Sequence, residues 1–395
     1  MTRTDVLACN YGSYFDPDFV FDDDDVAFAS AARSHVKFSE SGFSESESQA
    51  LVASGYTVLL DDLVIDRFYG VAISSYDMKS RLPLKDFRRW FGSAPNRLPL
   101  LRAESRADLE RIIEDLRTAN RHPLILRGQT SHYALARDVP NPSFVHETLG
   151  EISLLPSVWR RVLQERPGAL HHFRDLSMME WSLIIYDLFD LREVHEHEKR
   201  LDLFPGSFAT DELPPDPDYK LVRDFHTHRD AFLNAFRMGG SPAFLTLLQH
   251  YGLYSPVLDL TSDPQVALFF ATQKFARSGE RARYDFAGTN ERRAIIYVLR
   301  QDRDETLAYE RDKMLEELDP QRPKRQACVV MPTSPYAMNL AGDFLVAAIQ
   351  LDFDMTEPGS LTAEHLFPGA AEDRLLGAFR NNLHDAQRAA LTEFF

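Results

Sequence analysis

The sequence predicts a mixed α/β fold of the α+β kind, on three observations. Short apolar runs that stop abruptly at polar residues, as Leu124-Ile125-Leu126 does before Arg127, read as strand ends at the rim of a sheet. Between them recur apolar residues at helical spacing, such as Leu109, Ile112, Ile113 and Leu116. At 395 residues the chain exceeds the size at which single cores usually stop growing. An N-terminal accessory α/β module over 1–100 and a main domain over 101–395 are therefore expected.

Residues 1–50 mix aromatic and acidic residues without a clear period, including Asp22-Asp23-Asp24-Asp25 and a Ser/Glu stretch over 39–48. Four consecutive carboxylates cannot all face one ion in regular structure, so this run reads as a solvated loop or helix start. Strands are expected over 56–60 and 69–73, and an amphipathic element over 84–91. The Pro- and Asn-rich stretch 93–99 reads as a linker, which sets the module boundary near residue 100.

A helix over 105–119 then leads into the strand ending at Arg127, and an apolar element with a polar end follows over 154–161. Helices are expected over 178–198 and 219–238, the second closed by Gly239-Gly240, with Pro214, Pro215 and Pro217 marking the break between them. Another helix, 241–251, precedes a strand over 257–260. Asp263 is suited to cap, and Pro264 to open, a helix carrying Val266, Ala267, Phe269, Phe270 and Phe275. Strands over 294–299, 326–331 and 344–351 complete the domain, and no internal repeat is seen.

Composition narrows the function classes. Hydrophobic residues at 44% with charged residues at 26% exclude a disordered chain. A net charge of −16 argues against passive coating of nucleic acid, though not against nucleic acid as a substrate. Basic pairs such as Arg88-Arg89, Arg160-Arg161, Arg292-Arg293 and Lys324-Arg325 read individually as solvated surface charge. With only Cys9 and Cys328, a reducing, cytoplasmic compartment is expected, and no apolar stretch approaches a membrane span.

Two blocks carry the chemistry. In Arg127-Gly128-Gln129 the guanidinium offers a rigid fork of donors for a phosphate or ribose, and the glycine admits a ligand to the backbone; the alternative is a salt-bridged arginine beside a turn glycine. Thr261-Ser262 lies between a strand and a helix start whose free N–H groups favour an anionic or polar ligand, with simple capping as the alternative. Capping does not explain the dense neighbouring set Gln249, His250, Tyr251 and Asp259. His250 is suited to acid–base work or to capping its own helix. The pairs His195/His197 and His226/His228, spaced by two on helices, point to different faces, so no metal is expected. The sequence holds no GxxxxGK, GxGxxG, HExxH or GxSxG motif.

The order Leu126-Arg127-Gly128-Gln129, Pro156-Ser157-Val158-Trp159-Arg160, Gln249-His250-Tyr251-Gly252, Leu258-Asp259-Leu260-Thr261, Ala267-Leu268-Phe269-Phe270-Ala271 and Arg325-Gln326 is similar to the FRG domain family, over roughly 115–380. It departs from that pattern at Tyr254-Ser255-Pro256-Val257, at Leu260 where Trp is common, and at Ala327-Cys328, where a glycine-containing turn is usual after Gln326. A fainter resemblance extends to ADP-ribosyltransferases. It implies a split sheet with helical insertions, on which Arg127 with Gly128, Gln129, Arg160, Tyr251 and Asp259 would hold NAD. Thr261 and Ser262 would support the ribose, and Gln326 would take the third position, with Glu310, Glu316 and Glu317 as rivals. Because Gln326 cannot act as a base, His250 or Asp259 would activate the acceptor, or a nucleobase nitrogen would need little activation.

The resemblance thus implies an NAD-consuming mono-ADP-ribosyltransferase, a bacterial toxin or anti-phage defence effector acting on protein, RNA or DNA. The N-terminal module would recognise the target or restrain activity, and an inhibitory partner or antitoxin is compatible with that role. The other readings are a silent nucleotide-binding sensor module and an NAD glycohydrolase, and fold analogy alone separates all three from a soluble α/β domain of no stated function.

Overall fold

The computed structural model describes residues 31–59, 63–66, 82–92, 98–156, 178–203, 213–237, 242–252, 255, 257–278, 281–301, 307–308, 313–332, 344–382 and 393–394. The expected strand 69–73, most of the linker and Arg160 lie outside them.

The N-terminal part builds α1 (Ala31–Glu40), α2 (Glu45–Ala53), β1 (Tyr56–Leu59), β2 (Leu63–Asp66), β3 (Leu82–Pro83) and α3 (Leu84–Phe91). Ser44 starts α2 through a reciprocal capping box with Glu47, so two otherwise orphaned backbone amides are satisfied. The antiparallel β1-β2-β3 sheet buries Tyr56, Val58 and Val64 against Phe38, Leu51, Leu84 and Phe87. The amphipathic 84–91 stretch is thus a helix whose apolar stripe closes this small core.

The main sheet begins at β4 (Leu100–Ala103), followed by α4 (Arg106–Ala119), capped by Ser105, and by β5 (Leu124–Gln129). Next come a short hairpin, β6 (Val145–His146) with β7 (Gly150–Glu151), and the helices α5 (Met178–Asp187), α6 (Leu191–Arg200), α7 (Lys220–Arg237) and α8 (Pro242–His250). β8 (Val257–Thr261) leads into α9 (Pro264–Thr272), and β9 (Gln273–Ser278), β10 (Arg281–Phe286), β11 (Ile295–Arg300) and β12 (Leu307–Ala308) follow. The chain continues through α10 (Lys313–Leu318), α11 (Gln321–Arg325), β13 (Cys328–Pro332), β14 (Leu345–Leu351), α12 (Ala363–Leu366), α13 (Arg374–Asn382) and β15 (Glu393–Phe394). Among the described residues the main sheet has seven strands in the order β12-β13-β8-β5-β11-β14-β4, mixed because β14 and β4 are parallel.

One face of the sheet carries a continuous apolar layer that includes Ile125, Leu258, Leu260, Ile295, Tyr297, Leu299 and Val329. The other face is covered in two patches. Over β5, β11 and β14, α4 and α9 bury Leu109, Ile113, Leu126, Ala267, Ala271, Ile296 and Val298. Over β8 and β13, α5, α8 and α13 bury Ile185, Leu247, Val257, Val330 and Phe379. The seam between these patches runs between β5 and β8, which share a single paired position, Leu126 opposite Thr261. There the sheet splits.

Three expectations are corrected. The 178–198 helix is two helices, because Asp190 accepts from the amides of Arg192 and Glu193 and starts α6 afresh. Phe275 is not helical: α9 ends at Thr272, and Phe275 lies 46% exposed on β9, in a hairpin with β10. Gln326 is not in a strand but ends α11, where its amide donates to the carbonyl of Arg322. No helix among the described residues is long and apolar enough to cross a membrane.

Candidate functional site

Beyond the Leu126–Thr261 pair the two central strands separate, and Arg127 occupies the gap. Its guanidinium Nη1 donates to the carbonyl of Asp259 at 2.6 Å, standing in for a ladder bond the diverging backbones no longer make. A cavity of about 210 Å³ opens there, lined by Arg127, Gly128, Asp259, Leu260, Thr261, Val266, Phe270, Tyr284 and Gln326. At the roughly 30 Å³ that a water takes in the liquid, that volume holds about seven waters.

Gly128 lines this cavity for a reason other than the one its sequence suggests. A Cβ at this position would stand 1.8 Å from the carbonyl oxygen of Ala267 and 2.8 Å from the amide nitrogen of Ala271. The glycine lets the backbone of α9 lie directly on β5, which brings Val266 and Phe270 over the split.

Thr261 is buried, and its hydroxyl is doubly engaged. It donates to the carbonyl of Gln326 at 2.8 Å and accepts from the amide of Asp263 at 3.0 Å. Asp263 in turn caps α9. Thr261 therefore ties the start of α9 to Gln326. The side-chain Nε2 of Gln326 donates to the carbonyl of Leu366 at 3.0 Å, which fixes the amide plane and leaves Oε1 as its acceptor for a ligand. The residue after it, Ala327, has φ +43°, a left-handed conformation where glycine is usual.

The outer wall is aromatic. Tyr284 stacks on Phe367 at 5.2 Å between ring centroids and meets Phe269, Phe270 and Phe275 edge-on. Burial, and secondarily the charge of Asp259, pushes the Tyr284 phenol above its ordinary range, so its hydroxyl stays protonated and can donate. Asp259 is the acidic residue of this lining.

Arg127, Gly128, Asp259, Thr261 and Gln326 thus converge as the sequence expected, while its other candidates sit elsewhere. Ser262 is exposed, with its amide donating to the carbonyl of Ala327. Tyr251 is fully buried in the core, its hydroxyl donating to Asp373 at 2.6 Å and its ring against Phe379. Gln129 is half-buried at the end of β5, outside the cavity lining. His250 is buried behind Asp259, not in the lining, and burial holds its pKa below the ordinary value. Of the rival glutamates, Glu316 is exposed on α10, Glu317 belongs to the same helix and Glu310 lies outside the described residues.

His195 and His226 do meet, through a carboxylate. Glu198, 1% exposed, is within 2.8 Å of Nδ1 of His195 and 3.0 Å of Nε2 of His226. Sequence reasoning missed Tyr284; the alternation of charged and apolar residues along Arg281–Phe286 was the available signal.

The family model of the FRG domain matches residues 197–280. This span holds α7, α8, β8, α9 and β9, and with them Asp259, Thr261, Val266 and Phe270; Arg127 and Gln326 fall outside it. No curated protein and no solved structure matches the chain.

Proposed function

We propose that the FRG domain of this chain binds NAD in the cleft between β5 and β8 and transfers its ADP-ribose to a macromolecular acceptor. The observation that carries this reading is the split itself: the sheet parts over a cavity bounded by Arg127, the Gln326 amide, the Asp259 carboxylate and the rings of Phe270 and Tyr284. A cationic fork, a fixed acceptor and an aromatic wall suit a phosphate, a ribose hydroxyl and a flat nicotinamide respectively.

In this reading the nicotinamide riboside half fills the cavity and the rest of the dinucleotide extends beyond it. The bond between the nicotinamide nitrogen and C1′ breaks with its electron pair leaving on nicotinamide. The oxocarbenium charge that develops is opposed by Asp259, and Oε1 of Gln326 accepts from a ribose hydroxyl. The acceptor then bonds to C1′ and gives up a proton to Asp259 or to solvent. Gln326 cannot take that proton, so an acceptor that needs little activation, such as a nucleobase nitrogen, fits the site better than an alcohol. The part before residue 100 serves target recognition or restraint, and toxin or anti-phage defence is the biological setting this chemistry suits.

A second reading, a silent nucleotide sensor, draws on one specific feature: Gln326, whose main-chain carbonyl accepts from Thr261, has no ionisable group. Incubation of the protein with adenylate-labelled NAD, with and without cell lysate and nucleic acid, separates the readings. Label on a macromolecule, lost in Arg127→Ala, is the expected result. Nicotinamide release without transfer marks a hydrolase, and no turnover marks the sensor.

A further inference from the structure

On the inner side of Asp259 three unlike side chains converge. In the register of β8 and β13, Cys328 lies opposite Thr261 and Val330 opposite Asp259, so Asp259 and Cys328 are diagonal neighbours on one face. His250, the last residue of α8, closes over them. Its Nε2 lies 3.0 Å from Sγ of Cys328 and 3.6 Å from Oδ1 of Asp259, and the three ligand atoms are all within 4.8 Å of one another.

This arrangement is not a nucleophilic relay. A cysteine–histidine–carboxylate relay uses both ring nitrogens, one for the thiol and one for the carboxylate. Here sulfur and carboxylate address the same nitrogen, as ligands sharing one ion do. Bond lengths of about 2.0–2.3 Å at tetrahedral angles place the donor atoms of a zinc site roughly 3.4–3.6 Å apart. The His250–Asp259 separation already has that value, and Sγ needs to withdraw from Nε2 by about half an ångström.

Two further observations point to an ion. Oδ1 of Asp259 is buried and makes no hydrogen bond among the described residues, an arrangement that is costly for a carboxylate oxygen. The charges also balance: a divalent cation with one thiolate, one carboxylate and a neutral imidazole is neutral overall, which a buried setting requires.

We propose that His250, Asp259 and Cys328 bind one zinc ion, with its fourth ligand a water on the side of the cavity that Asp259 lines. The mixed nitrogen, oxygen and sulfur donor set selects zinc, or cobalt in its place, over magnesium and calcium. Binding expels the Cys328 thiol proton. The sequence pattern could not show this site, because ligands at 250, 259 and 328 match no short spacing. The proposal does not depend on NAD binding; with zinc held through Oδ1 of Asp259, Oδ2 is the oxygen left for a ribose and the acceptor's proton goes to solvent.

The test uses the full chain, tag removed and reduced, titrated with zinc against a chromophoric competitor, and separately with cobalt. One zinc per chain and a thiolate-to-cobalt charge-transfer band are expected, the band lost in Cys328→Ser and kept in Cys9→Ser. Zinc affinity should fall more than about 100-fold in Cys328→Ser and in Asp259→Asn, since loss of a supporting residue alone costs 10–100-fold. If either variant fails to fold, the other decides. Absence of stoichiometric zinc on the wild type, or a cobalt band that persists in Cys328→Ser, overturns the proposal.

Discussion

Arg137 has a buried guanidinium and Arg127 is half-buried, and the contrast between them is that of an arginine clamped by carboxylates with one that lines a cavity. Arg137 is clamped: Asp66 takes a two-pronged pair at 2.7 and 3.0 Å, Glu151 takes another, and the carbonyl of Ser54 accepts at 2.9 Å. Its guanidinium also lies 5.1 Å from the ring centre of Tyr56. This knot ties β2 and the end of α2 to the hairpin of β6 and β7, with every carboxylate involved buried. Arg127 instead faces a cavity and donates to a backbone carbonyl at a strand split. The same side chain holds two parts of a fold together in one place and lines a cavity in the other.

Substitution should expose that difference. Arg137→Ala leaves Asp66 and Glu151 buried without their cation and should cost about 3–5 kcal/mol, read as a large loss in denaturant midpoint. A loss below about 1 kcal/mol would mean that water reaches the knot and that the contrast with Arg127 is weaker than drawn. Gly128→Ala drives a methyl group into the backbone of α9 and should cost about 3 kcal/mol or more, because a backbone neighbour cannot swing aside. A folded, equally stable Gly128→Ala protein would show that α9 does not lie directly on β5. Arg127→Ala should change stability by less than about 1 kcal/mol while weakening NAD binding by roughly 10–150-fold, the converse of Arg137→Ala. At the small end, Ala327→Gly relieves a left-handed alanine and should stabilise by about 0.5–1 kcal/mol, measurable as a rise in midpoint.

The elements around the cleft were legible where local chemistry decides them. Leu124–Leu126 ending at Arg127 reads as a strand, and Asp263-Pro264 reads as a helix start, because period and capping are local signals. The α5–α6 break was hidden because Asp190 sits inside an otherwise continuous helical pattern. At Gly128 the sequence suggests a glycine that admits a ligand, and the packing constraint from Ala267, more than a hundred residues downstream, is one that no local pattern shows. Tyr251 looked like a ligand residue by its neighbourhood in sequence, yet α8 turns it into the core. The convergence of His250, Asp259 and Cys328 depends on the register of β8 with β13, a long-range fact no local pattern encodes.

The claim that the split between β5 and β8 is a nucleotide site is tested most directly by calorimetric titration of NAD into the wild type and into folded Arg127→Ala. The account predicts one site per chain in the wild type and an affinity lower by roughly 10–150-fold in the variant, the loss expected for a charge-assisted hydrogen bond. No binding to the wild type, or undiminished binding to Arg127→Ala, would contradict it.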